Sequence, residues 1–304
     1  MTRRPRRDRP PRLPDRPADR PASTPRAPRR PSTPSASRQL LQAGVCGSHP
    51  RLGREEVLAA ARRLVRPGAS PTEDAVTIDE VTAALEAVAG PQGRRRGEID
   101  PERTLAAART AGDQLAEAAH RHRRVAFATA APASLLSVYT AAARAGRAGG
   151  AVVADAGACG PYASGRSLWW HDGVAVATDG QTLVDETRPE AGEEWLFVVG
   201  RPALVVADGV FAEHAIAAGL PTVAFADLDA PAPALAAHRG RPVVVVPVAL
   251  RRPPAAYAPI ARLLVGPVLE SGPVTHDGDG TRHGPQLSTE TPGPYSAPPS
   301  GGEG

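Results

Sequence analysis

The chain has 304 residues, with 36 Lys plus Arg against 32 Asp plus Glu and a formal net charge of +4. The charge is unevenly placed: residues 1–38 carry +9, 272–304 carry −3 and 39–271 carry −2, so the folded part is nearly neutral and is not a basic nucleic-acid-binding domain. Every cation is Arg, because the chain contains no Lys, and it contains no Asn either; Schiff-base, P-loop-lysine and kinase-lysine chemistries are excluded by residue type.

Residues 1–38 hold 12 Arg and 10 Pro. Such a segment cannot bury enough apolar area to offset its ordering entropy, so it is expected to be a disordered tail, as is the Gly/Pro/Ser-rich stretch 272–304. Nucleic acid has only the basic tail to hold it, and a solvated extension is the favoured reading of that tail. The pairs Arg3-Arg4 and Arg6-Arg7 are followed by no apolar run of the kind an export signal needs. Cys46 and Cys159 are too few for a disulfide framework or a cysteine zinc site, which makes the cytoplasm the expected compartment. Apolar runs such as 204–207 and 243–246 are of strand length, so no membrane partner is expected.

Between the tails lies one expected domain, 39–271, mainly helical over 39–122 and α/β over 123–271. Val57, Leu58, Ala61, Leu64 and Val65 repeat on one face of a helix over 54–65 that stops at Pro67-Gly68. Thr77 and Glu80 stand in capping-box spacing at the start of a second helix, which ends at Gly90. After a basic loop at 94–96, Asp100-Pro101-Glu102 supplies an N-cap, a proline at the first position and a first-turn acid for a helix to about Ala119. The period then changes. Residues 125–129 read as a strand, 134–144 as a helix and 151–154 as a strand. The Asp172-Gly173 and Asp179-Gly180 pairs predict a three-stranded antiparallel meander over 167–185. Strands at 204–207, 222–226 and 243–246 alternate with helices at 211–218 and 231–237. Strands that are apolar on every residue require a sheet covered on both faces. The expected class is therefore α/β: a Rossmann-like, mainly parallel sheet with helices on both faces, a meander insertion and an N-terminal helical segment.

Ligands of such sheets sit beyond the carboxyl ends of the strands, where this chain places Thr129 and Ser134, then Asp155, Asp208-Gly209, Asp227 and Asp229. Carboxylates converging there could hold a Mg²⁺-like ion or act as acid and base on a phosphate ester; alternatively, each Asp caps the next helix. Other groups read more plainly. Cys159 to Arg166 lacks the spacing of a cysteine-phosphatase loop and is expected to be a Gly-rich surface loop. His120 and His122 lie among arginines, and Trp169-Trp170 is expected to pack a hairpin onto the sheet. His214, just beyond Asp208, is the best-placed imidazole for acid–base work, against a plain surface role.

The order of motifs also resembles a family of actinobacterial phosphatases. The resemblance rests on Ala128-Thr129-Ala130-Ala131-Pro132-Ala133-Ser134-Leu135-Leu136, Trp169 to Val176, Val205-Val206-Ala207-Asp208-Gly209, Phe225-Ala226-Asp227-Leu228-Asp229-Ala230-Pro231, and Pro247 to Arg251 with Pro254 and Tyr257. The lengths agree without gaps from about Ile99 to Tyr257, and the absence of Lys and Asn suits a GC-rich genome. The family's polar positions agree less well. Ala131 and Gly209 stand where it carries histidines, Asp229-Ala230 where it carries Asn-Asp, and Ala249-Leu250-Arg251 where it carries Asp-Asp-Asn. Around Gly47-Ser48-His49-Pro50-Arg51 there is a looser counterpart of an N-terminal family segment. The resemblance implies a phosphatase acting on a small phosphorylated metabolite with a divalent ion such as Mg²⁺. On this reading Asp208 and Asp227 are catalytic and Asp208, Asp227 and Asp229 are the metal ligands. Thr129, Ser134, Arg51 and Arg251 bind substrate, the arginines because no Lys is present to meet a phosphate. The alternative is a catalytically eroded homologue that binds a metabolite or a protein partner.

Overall fold

The computed structural model describes residues 34–65, 76–92, 96–163 and 165–270. Ser35 caps a short helix α1 (Ala36–Gln42), which leads through a turn into strand β1 (Gly47–Gly53) and helix α2 (Arg54–Val65). Thr77 accepts a hydrogen bond from the Glu80 N–H at 3.1 Å and so opens α3 (Ile78–Ala89), and Gly90 closes it with a φ of 97°. Strand β2 (Arg96–Ile99) pairs antiparallel with β1 in a small separate sheet. Asp100 then caps the Glu102 N–H at 2.9 Å, with Pro101 in the first helical position, to start the long α4 (Pro101–His120). These caps are local side-chain chemistry and stand where the sequence places them.

Strand β3 (Arg124–Thr129) begins the main sheet and is followed by α5 (Pro132–Ala148), the two-residue β4 (Val152–Val153) and the strands β5 (Ala158–Ala163), β6 (Arg166–His171) and β7 (Val174–Thr178). Then come α6 (Pro189–Val199), β8 (Leu204–Asp208), α7 (Gly209–Ala217), β9 (Thr222–Ala226), α8 (Ala232–His238), β10 (Val243–Pro247), a 3₁₀ turn (Pro254–Tyr257) and α9 (Ala258–Glu270). The sheet runs in the order β10-β9-β8-β3-β7-β6-β5, with β4 also paired to β3. From β10 to β7 the strands are parallel, and β7-β6-β5 are antiparallel. An α/β sheet of this kind with helices on both faces is the class the strand–helix alternation predicts.

The two faces differ in side-chain size, following the period of two along each strand. Val125, Phe127, Leu204, Val206, Val223 and Phe225 point into one core with α4, α5 and α9. Ala126, Ala128, Ala207 and Ala224 point the other way, where the small side chains leave room for Trp195 of α6 and Phe211 of α7, ring centroids 5.6 Å apart. No helix among the described residues is long and apolar enough to cross a membrane.

The structure corrects several details. The meander exists but begins upstream. Asp172 and Gly173, with φ of 51° and 84°, make the tight turn between β6 and β7, as Asp-Gly should. The second pair builds no hairpin of strands: the Asp179 carboxylate accepts from the N–H groups of Gln181 and Thr182 at 2.9 and 2.8 Å, folding the chain into a local turn with only the isolated bridge Thr178–Leu183. The third strand is β5, which takes up most of the stretch Cys159 to Arg166 that the sequence reads as a surface loop. Ala36 to Arg38 belong to α1 and Ser35 caps it, rather than forming part of a tail; 1–33 and 272–304 of the expected tails lie outside the described residues. The strand expected at 151–154 shrinks to two residues, because only Arg124 and Val125 of β3 pair with it before β7 takes its place. Strands β1 and β2 and helices α1, α6 and α9 were not anticipated from periodicity.

Candidate active site

Strands β3, β8, β9 and β10 end side by side, and the residues just past them form a carboxyl edge with two polar centres. The first is Asp208, fully buried at the end of β8. It occupies the N-cap position of α7, yet its side chain makes no capping hydrogen bond to that helix. Instead Oδ2 accepts from the Ala130 N–H at 3.1 Å, tying β8 to the loop that follows β3. Thr129, also fully buried, holds the next amide of that loop, Ala131 N–H to Oγ1, at 3.1 Å. Asp208 Oδ1 and the buried Tyr139 hydroxyl have no hydrogen-bond partner. Burial pushes the Asp208 carboxyl up to about 7, against the pull of the nearby Thr129 and Tyr139 hydroxyls and the Ala130 and Ala131 N–H groups. Burial, reinforced by the Asp208 charge, drives the Tyr139 phenol well above its usual range.

Gly209 follows with a φ of 53° and faces Ala130, where a Cβ would stand 2.7 Å from the Ala130 Cβ. The position where the resembling family has a histidine therefore has no room for a side chain in this backbone. On the other side of the same loop, Glu186 donates its N–H to the Ala130 carbonyl at 2.9 Å. Its buried carboxylate accepts from the Tyr162 hydroxyl and from the N–H groups of Thr187 and Arg188. Burial would raise its pKa, but these donors outweigh it and hold the group below the usual carboxylate range.

The second centre is Asp227, beyond β9. Its Oδ1 accepts from the Leu228 N–H at 2.7 Å and its Oδ2 from the Leu250 N–H at 2.9 Å. His49 Nε2 lies 3.1 Å from Oδ1 and 3.2 Å from Oδ2, and both side chains are nearly buried. Asp229 is two residues on and reaches solvent. The surrounding protein and the Asp227 charge raise its pKa, opposed by Arg251, His49 and Arg63. Arg251 is exposed, on the loop after β10, with a left-handed φ of 62°. Tyr257 lies between the two centres. It donates to the Ala249 carbonyl at 2.8 Å, and burial pushes its pKa up to about 12, with Ser134 and the Arg252 N–H opposing and the Asp227 charge adding.

The expected site residues are thus sorted by the fold. Asp227, Asp229 and Arg251 come together. Asp208 and Thr129 form a separate centre without solvent access, and Ser134 is buried beside Tyr257. The side chain of Arg51, on β1, lies outside those described. Among the described residues no three His, Cys, Asp or Glu side chains form a group that could hold a metal ion, so Asp208, Asp227 and Asp229 do not make one ligand set. Asp155 is a local device, accepting from the Gly157 N–H and paired with Arg147. His214 bonds the Val210 carbonyl at 2.8 Å and fills the space over Gly192 between α6 and α7, a packing role rather than an acid–base one. His122 turns the chain at a φ of 50° with Nδ1 3.1 Å from the Gly150 carbonyl oxygen. Trp170 packs onto the sheet while Trp169 stays exposed.

His49, Tyr139 and Glu186 were missed. Tyr139 lies in the middle of α5, and Glu186 follows the irregular stretch after β7. His49 had one weak signal, its place in the segment loosely matched at the amino end.

Residues 73–271 match the model of the family described as Phosphatase. The chain belongs to this Phosphatase family. Phosphatase SCO2771 of Streptomyces coelicolor is 33% identical to it over 165 residues, which is 49% of this chain and 59% of that protein. The chain thus spans about three fifths of the length of that curated relative. No solved structure matches it. His49 and Arg51 lie before the residues that match the family.

Proposed function

We propose that the chain is a phosphoric monoester hydrolase for a small phosphorylated metabolite, working at the carboxyl edge beyond β9 and β10. The observation that carries this reading is the Leu250 N–H to Asp227 hydrogen bond, which joins the loops beyond β9 and β10 and so brings the exposed Arg251, a permanent cation, and the exposed Asp229 to one edge beside the buried Asp227–His49 pair. Arg251 offers a planar, always charged group for phosphate oxygens in a chain that has no Lys. Asp229 is the carboxylate on this edge able to exchange a proton with a leaving group or with water. Asp227, with its oxygens already taken by three N–H donors, anchors the loops rather than touching substrate.

A shared divalent ion does not fit this donor set: Asp208 is solvent-inaccessible and bonded to Ala130, and Asp227 is nearly buried with both oxygens already accepting from N–H groups. The test is phosphate release by the full chain from p-nitrophenyl phosphate and from a panel of sugar phosphates and nucleotides, with Mg²⁺, with Mn²⁺ and with chelator. Arg251→Ala and Asp229→Asn should each lower kcat/KM by about a hundredfold. A wild-type chain inactive on the whole panel sinks the proposal.

The second reading, an eroded homologue that binds without turnover, is favoured by Ala131, Gly209, Ala230 and Ala249 at positions where the resembling family is polar. Calorimetric binding of inorganic phosphate without any hydrolysis would select it.

A further inference from the structure

The loop after β10 is pinned at almost every residue around Arg251. The Val248 N–H donates to the Ala226 carbonyl and the Ala249 N–H to the Val45 carbonyl, both at 2.9 Å. The Leu250 N–H donates to Asp227, and the Arg252 N–H to the Tyr257 hydroxyl at 3.3 Å. Arg252 also reaches back, Nε to the Gly44 carbonyl at 3.0 Å. Arg251 stands in the middle with its left-handed φ of 62°, a conformation that costs a non-glycine residue energy and persists where the surroundings over-determine it.

Two of these five anchors, the Gly44 and Val45 carbonyls, come from 44–49, a segment preceding the residues that match the family. That segment is itself fixed to the sheet: Cys46 Sγ donates to Thr104 Oγ1 at 3.3 Å, and Thr104 donates to the Pro247 carbonyl at 2.7 Å. At its end His49, 6% exposed, directs Nε2 at both oxygens of Asp227. Asp227 is therefore the joint between the N-terminal segment and the Arg251 loop, held from one side by His49 and holding Leu250 on the other.

We infer that His49 is a positioning residue of this site: by donating Nε2–H to Asp227 it fixes the 248–252 loop, and with it the left-handed Arg251 that meets the phosphate. The inference rests on the hydrolase reading for what Arg251 binds, and on the hydrogen-bond geometry alone for the clamp. It follows that the functional unit is larger than the family-matched span and includes 44–49.

The experiment compares His49→Ala, His49→Gln and His49→Met in the full chain. Gln keeps an N–H donor for Asp227, while Met has similar bulk and no donor, so the pair separates hydrogen bonding from packing and remains decisive if the Ala variant fails to fold. For p-nitrophenyl phosphate, KM and the inhibition constant of inorganic phosphate should rise about tenfold in the Ala and Met variants, the scale of one lost charge-assisted hydrogen bond, with kcat within about twofold. Gln should recover most of the loss. Amide exchange at Ala249 and Leu250 should accelerate about tenfold in the Met variant, with 205–207 unchanged. Unchanged KM and unchanged exchange in the Met variant overturn the inference, as does a Gln variant no better than Met. The exchange measurement needs no turnover, so an inactive wild type sinks the hydrolase reading while exchange alone still decides the role of His49.

Discussion

Asp208 and Asp227 look alike in the sequence, each ending an apolar strand at the same edge of one sheet, yet their surroundings are opposite. Asp227 receives the N–H groups of Leu228, Leu250 and His49, drawn from three separate parts of the chain. Asp208 receives the single N–H of Ala130, its other oxygen has no partner, and its pKa rises to about 7. A buried carboxylate is stabilised by the donors that tertiary structure brings to it, not by its place after a strand. One aspartate is consequently a joint between loops, and the other is a buried group that prefers its proton near neutrality.

The largest expected effect would break this contrast at the Asp227 end. Asp227→Ala strands the Leu250 and Leu228 N–H groups and the buried imidazole together, and should destabilise the fold by about 3–5 kcal/mol in denaturant unfolding. A loss below about 1 kcal/mol would mean the joint is not structural.

At the Asp208 end the expected outcome has the opposite sign. The folded-state pKa of about 7 lies above the ordinary carboxylate value of 3.8, so the folded state binds the extra proton between those pH values. Stability from this group is therefore present below about pH 4 and is lost as pH rises toward 7, at about 1.4 kcal/mol per unit crossed. Asp208→Asn, which keeps an acceptor for the Ala130 N–H and offers an amide to the Tyr139 hydroxyl, should flatten that decline and stabilise the protein at pH 8. A decline of the same slope in the variant would assign it to another group.

Smaller effects sharpen the same comparison. Gly209→Ala puts a Cβ 2.7 Å from that of Ala130 at a φ of 53°, and should cost about 1–3 kcal/mol by thermal unfolding. Tyr139→Phe removes a buried hydroxyl that has no hydrogen-bond partner, so it should change stability by less than about 1 kcal/mol in thermal unfolding.

Much of the framework was legible because its causes are local. Thr77, Asp100 and Pro101 cap helices by contacts within one turn, Asp172-Gly173 makes its hairpin, and the all-apolar runs became the parallel strands. The failures have one cause. Asp179-Gly180 satisfies its own backbone and so ends the meander, while β5 owes its pairing to β6 rather than to its own pattern. Helices α6 and α9 carry apolar faces whose meaning depends on the sheet beneath them. In the site, Asp227 and Asp229 were named from the rule that ligands lie past strand ends, and Arg251 from the absence of any Lys to meet a phosphate. Their partner His49 is 178 residues away from Asp227, a separation no motif spans.

The sequence alone determined the strand–helix alternation, the caps, the placement of aspartates at the strand ends and the dependence on arginine for any anion. Periodicity, capping and residue chemistry act over a few residues, so they can be read from the chain. Only the tertiary structure decided which aspartate is saturated and which is orphaned, that Gly209 has no space for a side chain, and that the segment from Gly44 to His49 reaches the Arg251 loop. Those outcomes depend on donors and van der Waals neighbours from distant segments, and burial multiplies the consequence of each one that is present or missing.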